Sequence, residues 1–308
     1  MIGGYSISDL ASVLVMQGFS GLILFSVFVL MALGLAIIFG QMGVINMAHG
    51  EFMAVGSYMT YLCSRLFARY LPGLFAIHFF VAMIVAFIVA GAIGIATEWL
   101  LIRRLYARPL DTLLATWGLS LAMQQAFRSI FGAREVGVTL PQWLMGSFNL
   151  TSLIQVPING LFVMGLTVLI TAALFVLIFR SRWGRQVRAV TQNRVMSGAV
   201  GINTERIDRY TFGLGCGIAG IAGAAFTMIG STSPTSGQLY IVDTFLVVVF
   251  GGAQSLIGTI ASAFTISQSQ STLEFFLSGS MAKVLTLLTV VGILMLRPQG
   301  LFVLKVRR

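Results

Sequence analysis

The chain has 308 residues, of which 57% are hydrophobic and only 9% are charged. Soluble domains carry about 25% charged residues, so this composition excludes a soluble globular protein and indicates a chain that lies mostly within a membrane. The net charge of +10 does not indicate a nucleic acid partner, because membrane proteins concentrate Lys and Arg in their cytoplasmic loops.

Apolar runs of about 20 residues, the length that an α-helix needs to cross a bilayer, recur along the whole chain. An outer-membrane barrel would show alternating segments of about ten residues instead. The sequence therefore predicts an all-α transmembrane bundle of eight or nine spans in a single domain, 1–308, with a short interfacial helix at 6–17. The predicted spans are 18–40, 52–66, 74–102, 112–131, 158–179, 210–230, 241–250, 253–277 and 281–296.

Two predicted spans are followed by similar interruptions. The letters I-F-G-Q at 38–41 and V-F-G-G at 249–252 each precede small and polar residues. Paired broken helices are typical of transporters with internal repeats, in which the substrate path lies near the breaks. A chance match between two short stretches is the alternative interpretation.

The span at 210–230 is rich in glycine. Small residues let helix backbones approach closely in lipid, so we expect this helix at the centre of the bundle. Its glycines are Gly213, Gly215, Gly217, Gly220 and Gly223.

Lys and Arg are distributed unevenly among the connections. Fourteen of the 19 lie at 103–108, 180–209 and 297–308, and the positive-inside rule places these segments in the cytoplasm. The N-terminus is then outside and the C-terminus inside if 241–250 crosses as a ninth span; if it is re-entrant, eight spans remain. The other five are Arg65, Arg69, Arg128, Arg134 and Lys283.

Several kinds of catalytic and metal site are missing from the sequence. It has no P-loop motif and so cannot hydrolyse ATP alone, and it has no H-E-x-x-H or G-x-S-x-G motif. His49 and Glu51 are two residues apart, and on a helix they point in different directions. With His78 the only other histidine, we expect no metal site and no enzyme.

Polar side chains within the spans are the candidates for a substrate path. Ionisable groups in a membrane are costly and face a bundle interior or a water path, and an amide offers both a donor and an acceptor. Hydrogen bonding between helices is the alternative role for each of them, and Glu98 is expected to pair with Arg103 or Arg104. The candidates are Asn46, His49, Glu51, Gln124, Gln125, Asp243, Thr244, Gln254, Gln268 and Glu274.

The segment 180–209 holds seven basic residues between two apolar runs. It is too long for a turn and too short for a domain, so we expect one or two short helices against the membrane surface. Such a segment is either a lipid-contacting loop or a docking surface for a cytoplasmic partner.

Two motifs carry a resemblance to a known family. The stretch G-V-I-N-M-A-H-G-E at 43–51 resembles the G-x-x-N-x-A-H-G-E stretch of membrane permeases in branched-chain amino acid ABC importers. The letters G-R-x-x-R-A at 184–189 and G-I-N at 201–203 resemble the cytoplasmic region of that family which docks on the ATPase. Within the family, the stretch 237–252 looks most like the urea permease subgroup.

The resemblance implies a heteromeric importer in a bacterial inner membrane. Its other parts are a second homologous permease, an extracytoplasmic binding protein and two cytoplasmic ATPase subunits, which hold ATP and Mg; this chain binds no cofactor. ATPase docking is assigned to Gly184, Arg185, Arg188, Ala189, Arg194, Gly198, Gly201, Ile202 and Asn203.

The function that follows is a translocation path for urea or a related small amide. Few charged groups lie in the spans, which favours a neutral solute over an amino acid zwitterion. The alternatives are a branched-chain amino acid permease, a passive small-solute channel, and a proton-coupled transporter with Glu51, Asp243 or Glu274 as the coupling acid.

Overall fold

The computed structural model describes residues 7–106, 108–151, 154–252, 255–297 and 300. Within these residues the chain forms eleven α-helices and a two-stranded antiparallel hairpin, in which β1 (Ser147–Thr151) pairs with β2 (Ile154–Pro157). The helices are α1 (Ile7–Met42), α2 (His49–Tyr70), α3 (His78–Leu100), α4 (Pro109–Phe131), α5 (Ile158–Arg180), α6 (Arg182–Gln192), α7 (Arg194–Ala199), α8 (Thr204–Phe226), α9 (Ser236–Gly251), α10 (Leu256–Phe276) and α11 (Gly279–Leu296). The predicted all-α bundle is confirmed, and the hairpin is an addition that the sequence did not predict.

Among the residues that the structure describes, four stretches are long and apolar enough to cross a membrane: Val13–Met42, Pro72–Arg104, Ile158–Arg180 and Gly279–Leu296. Helices α2, α4, α8 and α10 have 21 to 23 residues and are more polar. Helix α9 has 16 residues and rises about 24 Å, less than the ~30 Å of the hydrocarbon core. The described residues therefore fit the prediction of eight or nine spans, with α9 as the ninth.

Helix α1 differs from the prediction at its start. It is continuous from Ile7 to Met42, so the helix expected at 6–17 is, from residue 7, continuous with the first span rather than separate from it. Its 36 residues reach about 54 Å, which exceeds the bilayer core and carries the start of the helix beyond it.

The connections meet at two opposite ends of the bundle. At one end, Arg103 pairs with Glu205, which brings the basic connections after α3 and α5 together. At the other end, Trp143 Nε1 donates to the carbonyl oxygen of Ala76 at 2.8 Å, and residues 136 and 232 form a β-bridge. The basic connections 103–108 and 180–209 thus share one end; most of the third, 297–308, lies outside the described residues.

Helix α8 is the centre of the bundle, as its glycines predicted. A Cβ atom on Gly223 would lie 1.9 Å from the Met53 carbonyl oxygen of α2, and one on Gly215 would lie 2.6 Å from the Gly34 carbonyl oxygen of α1. On the side of α3, a Cβ on Gly220 would lie 2.6 Å from the Ala86 carbonyl oxygen. Three helices therefore pack backbone to backbone against α8.

The two interruptions share a backbone feature. Helix α1 is followed by Gly43 with φ +64°, and α9 is followed by Gly252 with φ +91°, a region that glycine adopts at low cost. The first turns of α2 and α9 are also in contact. A Cβ on Gly50 would lie 2.1 Å from the carbonyl oxygen of Gly237.

Candidate functional site

A buried carboxylate cluster connects α2, α4 and α9. Glu51 is 1% exposed, and its Oε1 accepts hydrogen bonds from Ser120 Oγ and Gln124 Nε2, both at 2.9 Å. Gln124 Nε2 also lies 3.4 Å from Gln238 Oε1 on α9. We call these four residues the carboxylate cluster. The sequence identified Glu51 and Gln124 as candidates and missed Ser120 and Gln238. Nothing in the sequence indicates which side chains the Ser120 hydroxyl and the Gln238 amide contact.

Asn46 and His49 precede Glu51 closely in the sequence, and His49 is the first residue of α2. Asn46 Oδ1 accepts a hydrogen bond from the Ala48 N–H at 3.1 Å, and His49 Nε2 lies 3.2 Å from the Met31 carbonyl oxygen of α1. His49 therefore faces α1 while Glu51 faces α4, as their spacing predicted. Among the described residues, no three His, Cys, Asp or Glu side chains are placed to hold a metal ion.

An ion pair joins α9 to α11. Lys283 Nζ lies 3.3 Å from Asp243 Oδ2, and the two side chains are 39% and 17% exposed. The Lys283 ammonium also lies 5.2 Å from the centre of the Tyr240 ring, a cation–π arrangement. The sequence gave Asp243 as a path residue but counted Lys283 only among the basic residues outside the cytoplasmic loops. Thr244 is fully buried and donates to the Tyr240 carbonyl oxygen at 2.7 Å.

Helix α9 presents an exposed face between these two groups. Its members are Gln238, Leu239, Val242 and Asp243; Leu239 is 61% exposed and Val242 is 49% exposed. The face is bordered by α4, through the Gln238 contact, and by α11, through the Asp243 contact. We call it the α9 face. With Lys283 of α11 at its border, it offers two opposite charges, an amide and two branched apolar side chains.

The other candidate path residues lie elsewhere. Gln125 is exposed although its neighbour Gln124 is buried. Gln268 Nε2 donates to a backbone carbonyl of α1 at 3.2 Å, and Glu274 is exposed and accepts from Gln270 of its own helix at 3.1 Å. Gln254 lies outside the described residues.

The segment 180–209 forms two short helices, α6 and α7, followed by the first turns of α8. Helix α6 is fixed to the end of α5: a Cβ on Gly184 would lie 2.1 Å from the Ile178 carbonyl oxygen, and Arg188 donates to the same oxygen. Gly184 and Arg188 thus hold the segment's own structure. Ala189 is half-buried beside them.

The remaining docking candidates divide into inward and outward groups. Arg194 pairs with Asp208 at 2.5 Å, Asn203 Oδ1 caps α8 by accepting from the Arg206 N–H at 2.9 Å, and Ile202 packs against the apolar side of α6. The outward group is exposed and comprises Arg185, Gly198 and Gly201. Exposed apolar side chains accompany it on and after α7: Val195, Met196 and Val200, at 85%, 61% and 70%.

The predicted pairing of Glu98 with Arg103 or Arg104 is wrong. Glu98 is fully buried, and its Oε2 lies 3.6 Å from Arg209 Nε on α8, while Tyr106 donates to its Oε1 at 3.4 Å. Arg103 pairs instead with Glu205. Helix α8 packs close enough to α3 to supply the cation.

Comparison with known proteins identifies a family. The model of the family described as "Branched-chain amino acid transport system / permease component" matches residues 18–294. The high-affinity branched-chain amino acid transport system permease proteins LivH of Salmonella typhimurium and LivH of Escherichia coli are 29% and 28% identical over 295 residues, which cover 92% of this chain and 94% of theirs. The corresponding protein BraD of Pseudomonas aeruginosa is 26% identical over 291 residues, 92% of this chain and 93% of its own. No solved structure matches the chain.

These matches support the broad resemblance and give no support to the urea subgroup suggested by 237–252. The family match spans most of the chain, and its apolar helices are those of a multi-pass membrane protein. A permease component is a transport subunit, not an enzyme. The chain belongs to the family of permease components of branched-chain amino acid transport systems.

Proposed function

We propose that the chain forms one side of the translocation path of an ATP-driven importer for branched-chain amino acids. The observation that carries the substrate is the ion pair between Asp243 of the α9 face and Lys283 of α11. A zwitterion has an ammonium and a carboxylate, and a pair of opposite protein charges within the membrane offers a partner to each. The sequence-based preference for a neutral solute rested on few charged groups in the spans, and this pair removes that reason.

The α9 face also suits the aliphatic part of such a substrate. Leu239 and Val242 are exposed next to the charges, so a branched apolar side chain can contact them while its charged end meets Asp243 and Lys283. Polar groups at membrane depth must face protein or a water-filled path. The path therefore lies between the α9 face and the second, homologous permease that covers it.

The other partners follow from the two ends of the bundle. Of the two ATPase subunits, which hold ATP and Mg, we place one on α6 and α7 of this chain, where Val195, Met196 and Val200 offer an apolar surface, and the other on the second permease. The binding protein delivers the amino acid at the opposite end. The N-terminus is then extracytoplasmic and the C-terminus cytoplasmic, in a bacterial inner membrane.

The test is ATP-driven uptake of labelled leucine by the purified importer in liposomes. Asp243→Asn and Lys283→Gln should each lower uptake about tenfold, a loss equivalent to ~1.4 kcal/mol. The double exchange Asp243→Lys with Lys283→Asp should recover part of it, because both charges are present again. The control is Asp111→Asn, which breaks the Arg108–Asp111 pair of 3.5 Å between largely exposed side chains and should change little, since exposed pairs contribute little.

Full leucine uptake by both single variants would contradict the assignment of the α9 face. Uptake that persists without ATP would instead indicate a passive channel. Urea uptake without leucine uptake would return the substrate to a small amide.

A further inference from the structure

The carboxylate of Asp208 lies at the junction of three elements. Its side chain is fully buried near the start of α8, and Arg194 Nη2, from the first residue of α7, lies 2.5 Å from its Oδ2. The Arg194 guanidinium also lies 5.1 Å from the centre of the Tyr106 ring. A buried carboxylate is costly without its cation, so Asp208 and Arg194 are held together.

The same carboxylate reaches α1. Gln41 Nε2 lies 3.4 Å from Asp208 Oδ1, and Gln41 is followed by Met42, the last residue of α1. The break that comes next leads through Asn46 to His49, the first residue of α2, which also carries Glu51. One side chain thus connects α7 to the end of α1 at the point where the helix is interrupted.

The neighbouring ion pairs fix α8 rather than α7. The pairs Glu98–Arg209 and Arg103–Glu205 join the first turns of α8 to the end of α3 and to the turn that follows it. Helix α7 has only six residues, and Val195, next to Arg194, is 85% exposed. A partner bound to α7 can therefore move Arg194 without breaking the ion pairs that join α8 to α3.

We propose that Asp208 is a positioning residue for energy coupling, which passes movement of α7 through Arg194 and Gln41 to the break between α1 and α2. This inference rests on the proposed docking of the ATPase on α6 and α7. When the ATPase moves α7, Arg194 moves with it, the buried carboxylate follows its cation, and the hydrogen bond to Gln41 transmits the shift to the end of α1.

The experiment measures leucine transported per ATP hydrolysed by the purified importer in liposomes, together with the ATPase recovered per permease. Asp208→Asn and Arg194→Gln should keep the ATPase and its hydrolysis while the transport ratio falls at least tenfold. Gln41→Leu should lower the ratio by a smaller factor. Combining Asp208→Asn with Arg194→Gln should be no worse than either alone, since both break one pair. Arg194→Lys should recover part of the ratio.

The matched control is Arg104→Gln, which removes one exposed positive charge at the same end of the bundle and should leave the ratio within about twofold of the unchanged protein. An unchanged ratio in Arg194→Gln and Gln41→Leu would overturn the proposal, and these two partly exposed side chains carry the test even where Asp208→Asn fails to fold. If the variants lost bound ATPase in proportion to their loss of transport, the proposal would also be overturned, because the Asp208–Arg194 pair would then serve docking alone. Failure of the proposed function is distinct, because the unchanged protein would then either retain no ATPase or transport no leucine when ATP is hydrolysed.

Discussion

The crossing of α2 and α8 gives a sharp prediction for Gly223→Ala. The added Cβ would lie 1.9 Å from the Met53 carbonyl oxygen and 2.9 Å from the Ser57 nitrogen, whereas carbon and oxygen in close backbone contact are about 3.3 Å apart. Two packed helices must therefore separate by more than about 1 Å locally. The hydrogen bond from Ser57 Oγ to the Gly223 carbonyl oxygen, 2.9 Å long, stretches as they do.

The expected cost follows from these contacts. Overpacking of this kind costs about 1–3 kcal/mol, and loss of the Ser57 bond adds about 1 kcal/mol. Replacing Gly by Ala inside a helix returns about 0.5–1 kcal/mol, so we expect Gly223→Ala to destabilise the protein by ~1–3 kcal/mol overall. Gly165→Ala on α5 is the matched control, because a Cβ there has nothing within 4 Å.

The assay is thermal melting of the purified protein in detergent. Gly223→Ala should melt well below the unchanged protein, while Gly165→Ala should melt at the same temperature or slightly higher. Equal melting of the two variants would refute the close approach of α2 and α8, and with it the central position of α8.

Two further substitutions test the site and the docking segment. Gln124→Leu removes a hydrogen bond from the buried carboxylate of Glu51 and should lower the melting temperature by an amount equivalent to ~1–3 kcal/mol. The control Gln125→Leu changes the next residue, whose side chain is exposed, and should leave the melting temperature unchanged. Equal effects of the two substitutions would contradict the orientation of α4. Gly201 has φ +87°, so Gly201→Val should strain the connection from α7 to α8 by about 1–3 kcal/mol and reduce leucine transport without changing the amount in the membrane. Gly201→Asn, which tolerates positive φ better, should transport more than Gly201→Val, and the reverse order would contradict the strain.

The sequence was sufficient for the helices and for the position of α8. Long apolar runs mark most of the spanning helices whatever their neighbours, and Gly215, Gly220 and Gly223 mark α8 because close packing in lipid needs small residues wherever it occurs. The start of α9 was missed because Pro234 and Gly237 resemble a loop, although Gly237 lies inside the helix against α2.

Side-chain partners could not be predicted in the same way. In a soluble helix the apolar face is the buried one, but in lipid the outer face is apolar too, so the sequence did not distinguish Gln124 from Gln125. Glu98 was assigned to its nearest cations in sequence, whereas its contact is Arg209, supplied by the packing of α8 against α3. Lys283 and Asp243 are 40 residues apart, and only the packing of α11 on α9 brings them together.

ATP-dependent uptake by the intact importer tests the central claim most directly. The tagged protein is purified from its own membranes with its partners, placed in liposomes, and supplied with labelled leucine or labelled urea, with and without ATP. We expect leucine to accumulate only with ATP and urea to remain at the background level. Accumulation of urea alone, or uptake of leucine that is independent of ATP, would contradict an importer of branched-chain amino acids.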